Sequence, residues 1–236
     1  MSNAFGTSSL TQLLPVVAAS PLFRAENMDP GVFPLFEVTR IGQYLSVGLA
    51  LRSRGAVNVL TTQNKLVAHL LDLEKRGYLL DRAWQNFQNL YIAADGTPEL
   101  RMRLIGEDDA RFIRIDNRTP FVSAVLWRFP AKQIGETLNQ LGLGGSGIVA
   151  VAESDSVAIV PKANAEKPLA EILARYGKMG AECTSTPVPL TLTHGGWIEY
   201  LPPVGSTARE LTDYITGLLK RRKNEGRVNA AFKIYC

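Results

Sequence analysis

Residues 121–192 read FVSAVLWRFPAKQIGETLNQLGLGGSGIVAVAESDSVAIVPKANAEKPLAEILARYGKMGAECTSTPVPLTL. Phe121–Phe129 is dense in β-branched and aromatic residues, which suit a pleated, half-buried surface, so it predicts a strand that Pro130 stops. Ile134, Leu138 and Leu141 then fall at helical spacing, and Gly142 supplies the residue type that closes a helix. Gly147–Ala152 and Ser156–Val160 predict two strands joined by the polar triplet Glu153-Ser154-Asp155. Leu169, Ile172, Leu173 and Tyr176 define a second amphipathic helix with Pro168 near its start. Gly177 and Gly180 end it, and Val188–Leu192 closes the set as a strand. Strand, helix, strand, strand, helix, strand is the order of an α+β, ferredoxin-like (split βαβ) antiparallel sheet, with both helices expected on one face.

Upstream, three regions are expected. Residues 1–34 form an extended N-terminal arm, rich in Ser, Ala, Pro and Asn but dotted with Leu10, Leu13, Leu14, Val16, Val17, Leu22, Phe23 and Phe33. Those apolar residues dock either on the chain's own core or on a neighbouring subunit. Residues 35–117 read as a mixed helical and hairpin region, and 118–236 as the ferredoxin-like domain with a C-terminal helix and strand. Ile41–Arg54 fits a helix weakened by Gly42 and Gly48, with a strand over Tyr44–Leu51 as its rival. Thr61–Arg76 predicts a helix with Leu66, Val67, Leu70 and Leu71 inward and Gly77 as its stop. Leu79–Tyr91 predicts a second helix, antiparallel to the first, with Leu80, Trp84, Phe87 and Tyr91 along one side. Leu100–Ile105 and Arg111–Ile115 predict a hairpin around the acidic Gly106–Asp109. Near the end, Thr207 and Glu210 have capping-box spacing before a helix faced by Leu211, Ile215, Leu218 and Leu219. Val228–Tyr235 reads as a last strand, able to pair with a sheet edge.

Of 236 residues, 46% are hydrophobic and 20% charged, which supports a packed core and argues against a chain that is disordered throughout. Cys183 and Cys236 are too few for a disulfide scaffold or a structural zinc site, so a reducing, cytoplasmic setting is expected. The early apolar run Leu13–Ala19 is too short to span a bilayer and has no preceding Lys or Arg, so neither a membrane segment nor a signal peptide is expected. The 26 Lys and Arg exceed the 22 Asp and Glu by four. Residues 208–236 account for that whole excess, with seven cations against three carboxylates. Attraction for polyanions is therefore expected to start at the C-terminus.

Motifs for catalysis are missing. LGLGGSG at 141–147 is glycine-rich but lacks the Lys-Ser/Thr of a phosphate-binding loop and opens onto a strand, so it reads as a helix end. His69 sits beside an apolar stripe and reads as structural. His194 with Glu199, Cys183 or Ser185 matches no hydrolase or metalloenzyme spacing. No catalytic residue, metal ligand or cofactor is assigned. Gly177 and Gly180 resemble, over a few residues, the glycine-rich loops of CRISPR-associated RNA-binding proteins with ferredoxin-like folds; membership of that group does not follow.

The expected function is non-catalytic binding of nucleic acid, RNA or single strands in preference. Arg101, Arg103 and Arg114 on the hairpin, and Lys220, Arg221, Arg222, Lys223 and Arg227 at the tail, are the expected phosphate contacts. Trp127 is the expected stacking residue. The competing expectation is a self-assembling or adaptor subunit that works through its N-terminal arm and terminal strand.

Overall fold

The computed structural model describes residues 12–19, 39–53, 56–60, 73–91, 101–116, 126, 131–153, 156–179 and 187–224. Within them the fold is mixed α+β, with two antiparallel sheets and four α-helices.

The smaller sheet is built on β3 (Leu45–Ser53). On one side β3 pairs with β1 (Leu13–Ala19), in register from Leu13↔Leu51 to Ala19↔Leu45. On the other it pairs with β2 (Thr39–Ile41) and then β4 (Ala56–Val59). The helix expected over Ile41–Arg54 is thus a strand. Tyr44–Ala50 is buried without a break, which is what a strand covered on both faces looks like. Leu13, Leu14, Val16 and Val17 lie in the chain's own core, so this part of the N-terminal arm is occupied internally.

Helix α1 (Leu73–Tyr91) packs on β1. It runs straight through Gly77, so the expected stop and antiparallel turn at that glycine do not occur. Gly77 and Tyr78 face solvent, and local propensity there is overridden by burial of the turns that follow. The inward line is Leu79, Ala83, Asn86 and Phe87, one residue displaced from the expected stripe. The buried Asn86 amide donates to the Leu13 carbonyl at 2.9 Å, which satisfies both groups. Residues 61–72 lie outside the described residues.

The larger sheet has six strands in the order β10-β9-β7-β8-β6-β5. They are β5 (Arg101–Ile105), β6 (Phe112–Asp116), β7 (Gly147–Glu153), β8 (Ser156–Pro161), β9 (Leu190–Thr193) and β10 (Gly196–Glu199). Helices α2 (Ala131–Gln140), α3 (Glu166–Met179) and α4 (Thr207–Asn224) complete the fold.

This order is not the ferredoxin-like one, and the reason is topological. β6 and β7 both run antiparallel to β8, so they are parallel with β8 between them. β8 and β9 are likewise parallel with β7 between them. The crossovers β6–α2–β7 and β8–α3–β9 step the same way across the sheet, but their strands run in opposite directions. Right-handed crossovers must then place α2 and α3 on opposite faces. The packing agrees. Ile134 and Leu138 of α2 join Ile113, Ile115, Val149, Val157 and Ile159 on one face, together with Leu14, Val17, Ile41, Leu45 and Val47 of the smaller sheet and Phe87 of α1. Leu169, Ile172 and Leu173 of α3 join Phe112, Ile148, Ala150, Ala158 and Val160 on the other, together with Ala208, Ile215 and Leu219 of α4. Gly147 lets α2 sit close, since a Cβ there would come within 2.9 Å of both Ile134 and Leu138.

The strand expected over Phe121–Phe129 lies, apart from Leu126, outside the described residues; among the described strands β6 is the one that precedes α2. Leu126, the described residue in that stretch, lies in a helical turn, buried, and its carbonyl accepts from the Trp197 indole N–H at 3.0 Å.

Candidate nucleic-acid interface

The β5–β6 hairpin sets its charges by register. Arg103 stands opposite Arg114, and Arg101 opposite Asp116. The Arg103, Arg114 and Asp116 side chains share one face because strand residues alternate. Like charges directly across a ladder repel. Asp116, 19% exposed, relieves that repulsion: it accepts from Arg103 and lies 3.4 Å from the Arg114 Nε. The hairpin therefore presents Arg103 and Arg114 held around one carboxylate, not a purely cationic ribbon. On its opposite face Met102 and Leu104 are 40% and 46% exposed, although their cross-strand neighbours Ile115 and Ile113 are fully buried.

Helix α4 is capped by Ser206, one residue before the expected capping box. The Ser206 hydroxyl accepts the Arg209 N–H at 3.1 Å and donates to the Pro203 carbonyl at 2.7 Å. Ala208, Thr212, Ile215 and Leu219 face inward, and the Thr212 hydroxyl returns to the Ala208 carbonyl. Lys220 and Arg221 are exposed in the last turns, and among the described residues no carboxylate pairs with either. Arg222 and Lys223 continue the helix. Arg227, Trp127 and the expected strand Val228–Tyr235 lie outside the described residues.

A cleft of about 290 Å³ lies where α3 and α4 begin, lined by Asp109, Lys162, Asn164, Lys167, Tyr200 and Pro202 among others. Lys167 donates to Asp109 at 2.6 Å across its rim. That hydrogen bond holds the Asp109 carboxyl below its usual range and raises the Lys167 ammonium above its own. The pair clips the β5–β6 turn to α3.

A second link joins the two sheets. Glu199 of β10 accepts the Gln43 backbone N–H. Gly42 sits at φ +63, where a Cβ would come within 2.7 Å of the Glu199 Oε1. Burial pushes the neighbouring Tyr44 phenol up, and Glu199 adds to that.

Among the described residues the remaining chemistry-bearing groups do not assemble; His69, Cys183, Ser185 and Cys236 lie outside them. His194 is exposed in the β9–β10 turn, and Glu199 is engaged with Gln43. No group of three His, Cys, Asp or Glu that could hold a metal occurs among the described residues. The glycine-rich loop is a helix end: α2 stops at Gln140, Gly142 takes φ +68, and the Leu143 N–H returns to the Leu138 carbonyl at 2.8 Å. Trp84 and Phe87, the aromatic stripe of α1, stack on each other at 5.3 Å against the core. Among the described residues no helix is long and apolar enough to cross a membrane.

No family model, curated protein or solved structure matches the chain.

Proposed function

We propose that the chain binds nucleic acid without catalysing a reaction on it, through the C-terminal turns of α4 and, secondarily, the β5–β6 hairpin. The supporting observation is the exposed Lys220–Arg221 pair without a described carboxylate, at the head of a run that continues with Arg222, Lys223 and Arg227. Lys and Arg at a helix C-terminus have a structural use, since they complement the dipole. One or two suffice for that, and the sequence supplies more.

The hairpin adds to this surface. Both α3 and α4 begin at the cleft, at the end of the sheet where β8 finishes. They pack side by side on one sheet face and lead toward the other end, where β6 finishes at Asp116. Arg103 and Arg114 belong to that same face and end. A flexible single strand can reach from one group to the other more readily than a stiff duplex, which is why single strands, RNA included, are the favoured ligand.

The test is anisotropy of labelled RNA and DNA oligomers with the full chain across a salt series. Affinity is expected to fall steeply with salt, and the Lys220/Arg221/Arg222/Lys223→Ala variant is expected to flatten the log–log slope by roughly 3 for a single strand. Absence of binding at about 50 mM salt, or a slope near zero, overturns the reading.

A second reading, self-association, is favoured by Met102 and Leu104 on β5, the last strand of the sheet. Light scattering of the full chain and of a Met102→Lys/Leu104→Lys variant tests it: a monomer in both removes this reading.

A further inference from the structure

The helix that carries the tail cations also carries an exposed aromatic. Tyr214 is 53% exposed on the outer side of α4. Tyr214, Gly217 and Arg221 fall within about 60° of one another around the helix axis, and Arg221 lies about 10 Å further along it. Lys220 flanks the same line. Toward the N-terminus the line passes to Glu210, and Asp213 beside it is held by Arg209 at 2.9 Å. Basic character therefore begins at Tyr214 and grows toward the helix end.

Gly217 is the unusual member. Glycine disfavours a helix interior. Neither of the usual reasons for one applies here. Gly217 has no positive φ, and nothing among the described residues lies within 4 Å of where its Cβ would be. The result is a bare shelf next to the phenol ring, bordered by two cations. An exposed lone tyrosine is ordinary on a surface; this one lies beside a vacant helical position and two cations that no described carboxylate pairs with.

We propose that Tyr214 is the stacking residue of the nucleic-acid surface: an unpaired base lies over the ring and the Gly217 shelf, and its flanking phosphates meet Lys220 and Arg221. This rests on the nucleic-acid reading above and narrows it to strands with unpaired bases, since a paired base has no free face to offer. RNA and DNA share that chemistry; the preference between them is an outcome of the test.

The experiment compares single-stranded RNA, single-stranded DNA and duplex DNA of equal length, with the full chain carrying Tyr214→Ala, Tyr214→Phe or Gly217→Leu. Tyr214 is exposed and a side chain at the half-buried Gly217 would meet no described atom within 4 Å, and circular dichroism confirms that each variant is folded. Y214A and G217L are expected to lose about five- to a hundredfold in single-strand affinity with the salt slope unchanged, while Y214F keeps it. Duplex binding should not move. If Y214A binds single strands as the parent does while the quadruple Ala variant binds weakly, the stacking role is overturned and the phosphate reading stands. Equal parent affinity for single strand and duplex also overturns it. If the parent binds no strand at about 50 mM salt, the nucleic-acid reading fails and this proposal falls with it.

Discussion

Arg103 and Arg114 face each other across the β5–β6 ladder, and the carboxylate of Asp116 serves both. This arrangement separates two quantities that usually move together. Replacing Asp116 with Ala leaves the arginines opposed without the carboxylate they share, which should lower stability by about 0.5–1 kcal/mol. The same change releases one unit of positive charge. Polyanion binding should then tighten, with the single-strand salt slope steeper by about 0.7. Chemical denaturation and anisotropy on the same variant check both directions; a loss of affinity would place Asp116 among the binding groups.

The opposite-face arrangement of α2 and α3 makes a second prediction. Leu138 and Leu173 are both fully buried, on different sides of the six-stranded sheet. Each Leu→Ala change should cost about 2–5 kcal/mol, because transfer and cavity terms add. Their effects should sum in the double variant within about 0.5 kcal/mol, since the two residues belong to separate core clusters on opposite sides of the sheet. Urea unfolding of the three variants measures this, and a large coupling energy would contradict the layering.

At the junction of the sheets, Gly42→Ala forces a side chain into a left-handed backbone position and toward the Glu199 carboxylate. A loss of order 1–3 kcal/mol is expected from the conformation alone. Glu199→Gln keeps the shape and one acceptor oxygen, so it should be milder. A thermal melt in which G42A matches the parent would rule out this junction as drawn.

The Asp109–Lys167 pair predicts how stability depends on pH. Asp109 is depressed in the folded chain, so its contribution is present above the ordinary carboxylate range and disappears as acid protonates it. Lys167 is raised, so its contribution is complete below the ordinary lysine range and disappears at higher pH still. The difference in melting temperature between the parent and Asp109→Asn should be flat around neutrality and close at both extremes. Both groups are exposed, so the plateau is small.

The elements of this fold were more legible than their arrangement. The stripes of α2, α3 and α4 and the β5–β6, β7–β8 strand pairs follow from apolar spacing in the sequence, because amphipathic period reports local geometry directly. Sheet order does not leave such a trace. Nothing in the spacing of Phe112–Asp116 tells that β6 pairs with β8, and this pairing is what sends the helices to opposite faces. β3 was ambiguous because a continuous apolar run fits a buried strand or a buried helix. Gly77 misled because glycine near a helix pattern usually marks its end, whereas here the helix continues. Among the candidate contacts, the tail cations were visible as a local charge excess. The partnership of Asp116 was not, since it depends on strand register. Tyr214 left no such signal: the expected stripe of Leu211, Ile215 and Leu218 would set it near the core side, and it turns outward because the buried line is Ala208, Thr212, Ile215 and Leu219.

A sheet roofed on one side and floored on the other has consequences for recognition. The broad β-platforms on which several bases can lie side by side are buried here beneath helices. Among the described residues, what remains for the proposed ligand is the β5–β6 rim and the exposed Lys220–Arg221 turn of α4, which would hold a polymer at a few points along its length. Such a grip counts charge and senses whether bases are open, but it spells out little of their order. On the proposed reading, the chain is expected to discriminate between forms of nucleic acid more than between sequences.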